Sequence, residues 1–236
     1  MVPSRIFGIL ITLLPFTFAV EELILTPLIR EGNLDKAKEM AINNINLYNI
    51  KSSLNKPITS YSGYLTINEA YNSNLFFWLF PAIENPDTSS VILVVNSIPG
   101  ISLMQGIFLE NGPFTLDENL ELKEQNYTWA KTHTLIYIDS PVGSGFSFTD
   151  NQEGWASSSQ EMNEQVYEAM KQIYTLFPEY QSRDLYFSGT SYAGRVIPKM
   201  VLTFEEKGRS DDFQKEVSGV NGSEQVRGGN ATNTKN

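Results

Sequence analysis

The chain has 236 residues, of which 41% are hydrophobic, 12% aromatic and 19% charged, enough for one large domain with a real core and too apolar for a disordered chain. Seventeen basic against 27 acidic residues leave a formal net charge of −10, which argues against nucleic acid or an anionic membrane surface as partner. Cysteine is absent, so no disulfide is available, and one histidine among scattered carboxylates gives no ligand spacing for a metal; neither a metal nor a cofactor is implied.

Residues 1–19 carry Arg5, an apolar run from Ile6 to Phe18 and the ending Thr17-Phe18-Ala19, with small residues where a signal peptidase reads. The run is too short for a membrane span and Pro15 interrupts it, so it is read as a secretory signal peptide, with no membrane segment after its cleavage. Asn126-Tyr127-Thr128, Asn221-Gly222-Ser223 and Asn230-Ala231-Thr232 are glycosylation acceptors that agree with this route and with a secreted or lysosomal product. Residues 20–60 read as a polar N-terminal leader with one or two helical turns over 34–40. From residue 61 the texture is β-type: a strand over 61–67, turn residues over 68–74, and an apolar partner strand over 75–80 ended by Pro81.

The aliphatic run 91–95 has the look of a strand buried on both faces, and 135–138 is another, with a long irregular stretch between them. Ser158 and Glu161 have capping-box spacing, and Met162, Val166, Ala169, Met170, Ile173, Leu176 and Phe177 make one helical stripe up to Pro178. Strands alternating with helices predict an α/β fold, whose sites lie at the carboxyl ends of the strands. Residues 208–236 are rich in Gly, Asn, Ser, Lys and Glu and are expected to be a disordered tail behind a domain spanning 61–207.

Asp184-Leu185-Tyr186-Phe187-Ser188-Gly189-Thr190-Ser191-Tyr192-Ala193-Gly194 reads as a short strand, a sharp turn and a helix start, with Val196, Ile197, Met200, Val201 and Phe204 at helical spacing after it. Ser191 stands at the apex, lifted clear of the sheet, with small residues on both sides: the pattern of a nucleophile elbow. An ordinary strand-to-helix turn, in which Gly189 and Ala193 only permit close packing, has the same pattern, and the pentad alone leaves both readings open.

Three blocks add a resemblance. Ser62-Gly63-Tyr64 through Phe77-Trp78-Leu79-Phe80-Pro81-Ala82, then Ile138-Asp139-Ser140-Pro141-Val142-Gly143-Ser144-Gly145-Phe146-Ser147, then Gly189-Thr190-Ser191-Tyr192-Ala193-Gly194 stand in the order and approximate spacing of the serine carboxypeptidase family. The chain is most similar to the vitellogenic carboxypeptidase-like and arthropod branch, over about 23–199, which is the first half or so of a full family chain. The resemblance implies a truncated α/β-hydrolase fold, the N-terminal part of the central sheet with its elbow, and a serine-type exopeptidase that releases C-terminal residues from peptides. It implies Ser191 as nucleophile and the Tyr192 backbone N–H as an oxyanion donor.

The same comparison marks departures. The family has a Gly-Gly pair in the loop that supplies the second oxyanion N–H, whereas here the loop is Asn96-Ser97-Ile98-Pro99-Gly100, and β-branched Ile98 resists positive φ. A misplaced donor costs about 2.7–4 kcal/mol of transition-state stabilisation. For the substrate's free carboxylate, Asn96 and Glu110 match family positions, while Thr190 stands where a second Glu is expected. The triad runs Ser, Asp, His in chain order, and no histidine follows Ser191; the only one is His133, read as a polar strand-end residue. A missing triad histidine costs on the order of 10⁶ in turnover. The expectation is therefore a serine carboxypeptidase relative that is inactive as this chain. Three alternatives stay open: a non-catalytic secreted relative that binds peptides or a partner, acyl transfer on the same scaffold, and an incomplete gene product exposing a hydrophobic edge at 185–187.

Overall fold

The computed structural model describes residues 22–45, 58–95, 100–210, 217–221 and 224–227, the last two stretches as backbone. The stretch read as a signal peptide, Asn96, Ile98 and Asn230 lie outside the described residues, as does the Asn221 side chain. In chain order the strands are β1 (Ile42–Ile45), β2 (Ile58–Asn68), β3 (Ser73–Phe80), β4 (Val91–Val94), β5 (Phe114–Leu116), β6 (Leu122–Glu124), β7 (Thr134–Ile138), β8 (Leu185–Gly189), β9 (Val217–Asn221) and β10 (Glu224–Arg227). The α-helices are α1 (Thr26–Arg30), α2 (Leu34–Ala41), α3 (Met104–Leu109), α4 (Ser159–Leu176) and α5 (Ala193–Ser210).

Among the described residues eight strands form one sheet in the order β1-β2-β3-β7-β4-β8-β9-β10, and β5 and β6 pair separately. The β2–β3 hairpin joins β7 antiparallel, whereas β7, β4, β8 and β9 run parallel. All four β4 residues and all five β7 residues are buried, as continuous aliphatic runs covered on both faces require. From β4 the chain crosses to β7 on one side by way of α3, and from β7 it crosses back over β4 to β8 by way of α4. Right-handed crossovers in opposite directions lie on opposite faces. Two cores result: one holds Met170, Ile173, Phe187, Ile197 and Phe204 under α4 and α5, the other Phe80, Ile107, Phe114 and Tyr137 under α3. The reversal of strand order at β4 sets a crevice at the carboxyl ends of β4 and β8.

α4 begins as its spacing predicts. Ser158 is the N-cap, its Oγ accepting from the Glu161 N–H at 3.2 Å; the returning bond is shifted by one residue, since Glu161 Oε2 accepts from Ser157 N and Oγ.

Two stretches differ from their sequence reading. Residues 22–45, part of the stretch read as a polar N-terminal leader, bury Leu25, Ile29, Ala37 and Ala41. Thr26 clasps them to the sheet: its Oγ1 donates to Gln172 at 2.6 Å and accepts from Thr66 N at 2.7 Å, while Gln172 Nε2 donates to Thr66 O at 2.9 Å. In the stretch read as a disordered tail, α5 runs on to Ser210, and β9 pairs in parallel with β8, Leu185 opposite Val217 and Gly189 opposite Asn221. The bare edge expected at 185–187 is thus paired along its backbone, which satisfies a row of main-chain donors and acceptors.

Candidate active site

β8 hands over to α5 in three residues, Thr190, Ser191 and Tyr192. Ser188 and Gly189 end the strand, Thr190 and Ser191 form the turn, and Ser191 holds φ at +55°, a left-handed conformation costly for a residue with a side chain. The neighbouring small residues make it fit. A Cβ on Gly189 would stand 2.5 Å from Ala193 Cβ and 2.6 Å from Val95 O, so only glycine lets the strand, the helix start and the end of β4 meet there. Val196, Ile197, Met200, Val201 and Phe204, all buried, anchor α5 against the sheet behind the turn. Thr190 and Ser191 are exposed.

The Ala193, Gly194 and Arg195 N–H groups donate to the Thr190, Ser191 and Tyr192 carbonyls at 3.1, 3.1 and 2.9 Å. The Tyr192 N–H stands ahead of this ladder, where a helix start offers its N–H no intrahelical acceptor. An oxyanion formed at Ser191 would therefore find a donor one residue on. Val95 N donates to Ser188 O at 2.7 Å, so the end of β4 lies beside the elbow.

Glu110 caps α3 and is exposed. Its neighbour Asn111 is buried, and Asn111 Oδ1 accepts from the Tyr137 hydroxyl at 2.6 Å. Burial and, second, the Glu110 charge push the Tyr137 phenol far above its ordinary value, so it stays a donor. Asn126 is exposed in the turn after β6.

One site residue escaped the sequence reading. Asp139, 2% exposed at the end of β7, binds the loops around the crevice: Oδ1 accepts from Leu103 N at 2.7 Å and Ser102 Oγ at 2.9 Å, and Oδ2 from Phe146 N at 2.9 Å. Gly145, at φ +56°, lies so close that a Cβ there would overlap the carboxylate. Burial raises the Asp139 pKa despite these bonds. Its place in the second family block and its position after an aliphatic run were the signals. Beside the elbow, an apolar cavity of about 240 Å³ opens between α4, α5 and the ends of β4 and β7, with Val95, Ile138, Met162, Val166, Tyr192 and Met200 in its wall.

Among the described residues no histidine joins Ser191. Thr134, next to His133, is level with Val91 and Leu185 in the parallel register, so His133 lies at the amino ends of the strands and Ser191 at the carboxyl ends. The five residues of β8, at about 3.3 Å each, put them on the order of 15 Å or more apart. His133 Nδ1 is 2.8 Å from Thr132 Oγ1, and burial lowers its pKa. Among the described residues no group of three or more His, Cys, Asp or Glu side chains comes together to hold a metal, and no helix is long and apolar enough to cross a membrane.

The family model described as serine carboxypeptidase matches residues 50–220. The chain belongs to the serine carboxypeptidase family. Among its relatives, the venom serine carboxypeptidase of Apis mellifera is 45% identical over 176 residues and the vitellogenic carboxypeptidase of Aedes aegypti 37% identical over 178. The probable serine carboxypeptidase CPVL of Homo sapiens is 41% identical over 178 residues. Each alignment takes in 75% of this chain and 36% of the relative, so the chain spans little more than a third of these relatives. The crystal structure of Kex1(delta)p, a prohormone-processing carboxypeptidase from Saccharomyces cerevisiae, superposes with a TM-score of 0.65 at 22% identity, over 75% of this chain and 41% of that one. That likeness gives the serine carboxypeptidase relative its fold, the α/β-hydrolase fold.

Proposed function

We propose that this chain is the nucleophile-bearing part of a secretory-pathway serine carboxypeptidase acting on the C-terminal residues of peptides, and that these 236 residues alone turn over no peptide. Ser191 is the nucleophile, the Tyr192 N–H one oxyanion donor and the Ile98 position the other. Asn96, Glu110 and Thr190 face the peptide's free carboxylate. The division into a cleaved leader over 1–19 and a partial hydrolase domain over 61–207 belongs to the same reading. The observation that carries it is Ser191 at φ +55° between Gly189 and Ala193, where any larger residue at 189 would collide with Val95 and Ala193. The inactivity rests on His133, the only histidine, lying at the opposite end of the strands from Ser191, with the length of β8 between them. Peptides with free C-termini incubated with the purified chain are expected to release no amino acid beyond the level of Ser191→Ala; release that depends on Ser191 would overturn the inactivity.

A second reading has its own support. The apolar cavity bounded by Tyr192 and Met200 lies beside the elbow, as a binding module for apolar peptide side chains would need. On this reading a peptide binds saturably and with equal affinity to the chain and to Ser191→Ala, and no binding at millimolar peptide contradicts it.

A further inference from the structure

The cavity beside the elbow has a chemistry of its own. Val95 and Ile138 line it from the strand ends, Val166 from α4 and Val196 from α5, and Met162 and Met200 bring one thioether from each helix. Among the described residues its wall holds no charged side chain. Three of the serines in the wall have hydrogen bonds already made. Ser157 Oγ donates to Glu161 Oε2 at 2.9 Å, Ser158 Oγ accepts from Glu161 N at 3.2 Å, and Ser159 Oγ accepts from Lys199 Nζ at 3.4 Å.

Water needs several polar partners, so an apolar cavity stays dry and takes up an apolar molecule instead. A dry cavity of about 150 Å³ holds benzene. The cavity here, about 240 Å³, has roughly one and a half times that volume, which is room for two fused rings. A charged group carried in would lose its hydration with no counter-charge in the wall. Two polarizable sulfurs favour an aromatic ring over an aliphatic one. Next to Met162, Asn163 is fully buried, and neither Oδ1 nor Nδ2 has a hydrogen-bond partner. Empty space and an unpaired amide both weaken the α4–α5 seam, so an occupant that restores contacts there stabilises the fold.

We infer that this cavity binds an uncharged bicyclic aromatic ring of the indole class, as a free molecule or carried by a peptide, and that the ring fastens α4 to α5 beside the elbow. The inference deepens the second reading above and rests on it for the site alone; it requires no turnover at Ser191.

The purified chain is titrated with fluoroindole and followed by fluorine NMR, and its thermal unfolding is recorded with and without indole. Saturable binding that unlabelled indole reverses is expected, with a melting temperature that climbs with indole concentration as mass action requires. Indole-2-carboxylate, the same rings with a charge, is expected to do neither. Val196→Phe fills the cavity from α5 and Met162→Phe from α4; each is expected to weaken binding at least about tenfold. Asn163→Leu, outside the wall, is expected to keep it. Displacement of fluoroindole by N-acetyltryptophanamide would mean that a peptide can carry the ring, and no displacement that the ligand is a free molecule. Binding of indole without binding of peptides would sink the peptide reading and leave this inference standing. No saturable binding at millimolar fluoroindole, equal binding of the carboxylate, or undiminished binding in a filled variant that unfolds cooperatively overturns it.

Discussion

Gly189→Ala puts the packing of the elbow to the test. The new methyl would stand 2.5 Å from Ala193 Cβ and 2.6 Å from Val95 O, and neither atom is the end of a side chain that can swing away. Relief requires α5 or β4 to shift, and overpacking of this kind costs about 1–3 kcal/mol. Two simultaneous overlaps with backbone-fixed atoms place it in the upper part, about 2–3 kcal/mol, which for a chain of this size lowers the melting temperature by roughly 4–12 °C. Gly106→Ala in α3 is the matched control: its Cβ would meet only Tyr137 Cε1 at 3.7 Å, an ordinary contact, and alanine inside a helix gains about 0.5–1 kcal/mol over glycine. Thermal unfolding followed by circular dichroism reads both. Adding Ala193→Gly to Gly189→Ala removes one overlap, so the double variant should be more stable than the sum of the single losses by about 1 kcal/mol. A Gly189→Ala chain as stable as the parent, or additive with Ala193→Gly, would refute the close-approach argument.

Other consequences follow from the same geometry. Because Ser191 sits at φ +55°, Ser191→Gly should be more stable than Ser191→Ala by about 1 kcal/mol in denaturant titrations, and equal stability would speak against the left-handed turn. Burial raises the Asp139 pKa above 3.8, so above that pH the native state binds more protons than the unfolded one and its stability falls as pH rises toward the folded value. Asp139→Asn loses charged hydrogen bonds of about 1.5–3 kcal/mol each and is expected to be the less stable chain, with a gap that narrows as pH rises through this window; a gap that widens contradicts the assignment. Burial lowers the His133 pKa below 6.5, so the fold loses stability as pH falls below 6.5. The single imidazole resonance should titrate below 6.5 with a midpoint unmoved by Ser191→Ala, whereas a shifted midpoint would reveal coupling to Ser191.

The sheet's centre and the elbow were legible because their residues repeat a local rule. Val91–Val94 and Thr134–Ile138 are runs that only a two-sided burial explains, and the small residues around Ser191 announce a close approach. The crossover between β4 and β7 was not legible, since α3 has six residues and β5 and β6 three each, too few to show a period. β3 begins at Ser73, two residues before its apolar run, because buried polar groups have partners from afar: Asn74 Oδ1 accepts from Thr66 Oγ1 at 2.7 Å, and Ser73 Oγ lies 2.9 Å from Thr149 Oγ1. The docking of residues 22–45 was hidden for the same reason, since a threonine, a glutamine and a strand backbone hold it. Asp139 could not be read as the tie of the crevice, because its three donors, Ser102, Leu103 and Phe146, come from loops on either side of β7.

Ser191 stands on its left-handed turn with no histidine to take its proton. A fluorophosphonate probe at neutral to mildly basic pH, without and with free imidazole, tests it most directly. Imidazole, mostly neutral above its pKa near 6.5, can stand in for the missing histidine. The chain by itself is expected to take no label, and Ser191 to be labelled when imidazole is added, with no labelling in Ser191→Ala. Labelling of Ser191 without imidazole would mean that the chain supplies its own base, and no labelling with it would mean that Ser191 is not poised; either result would contradict a nucleophile that waits only for a base to act.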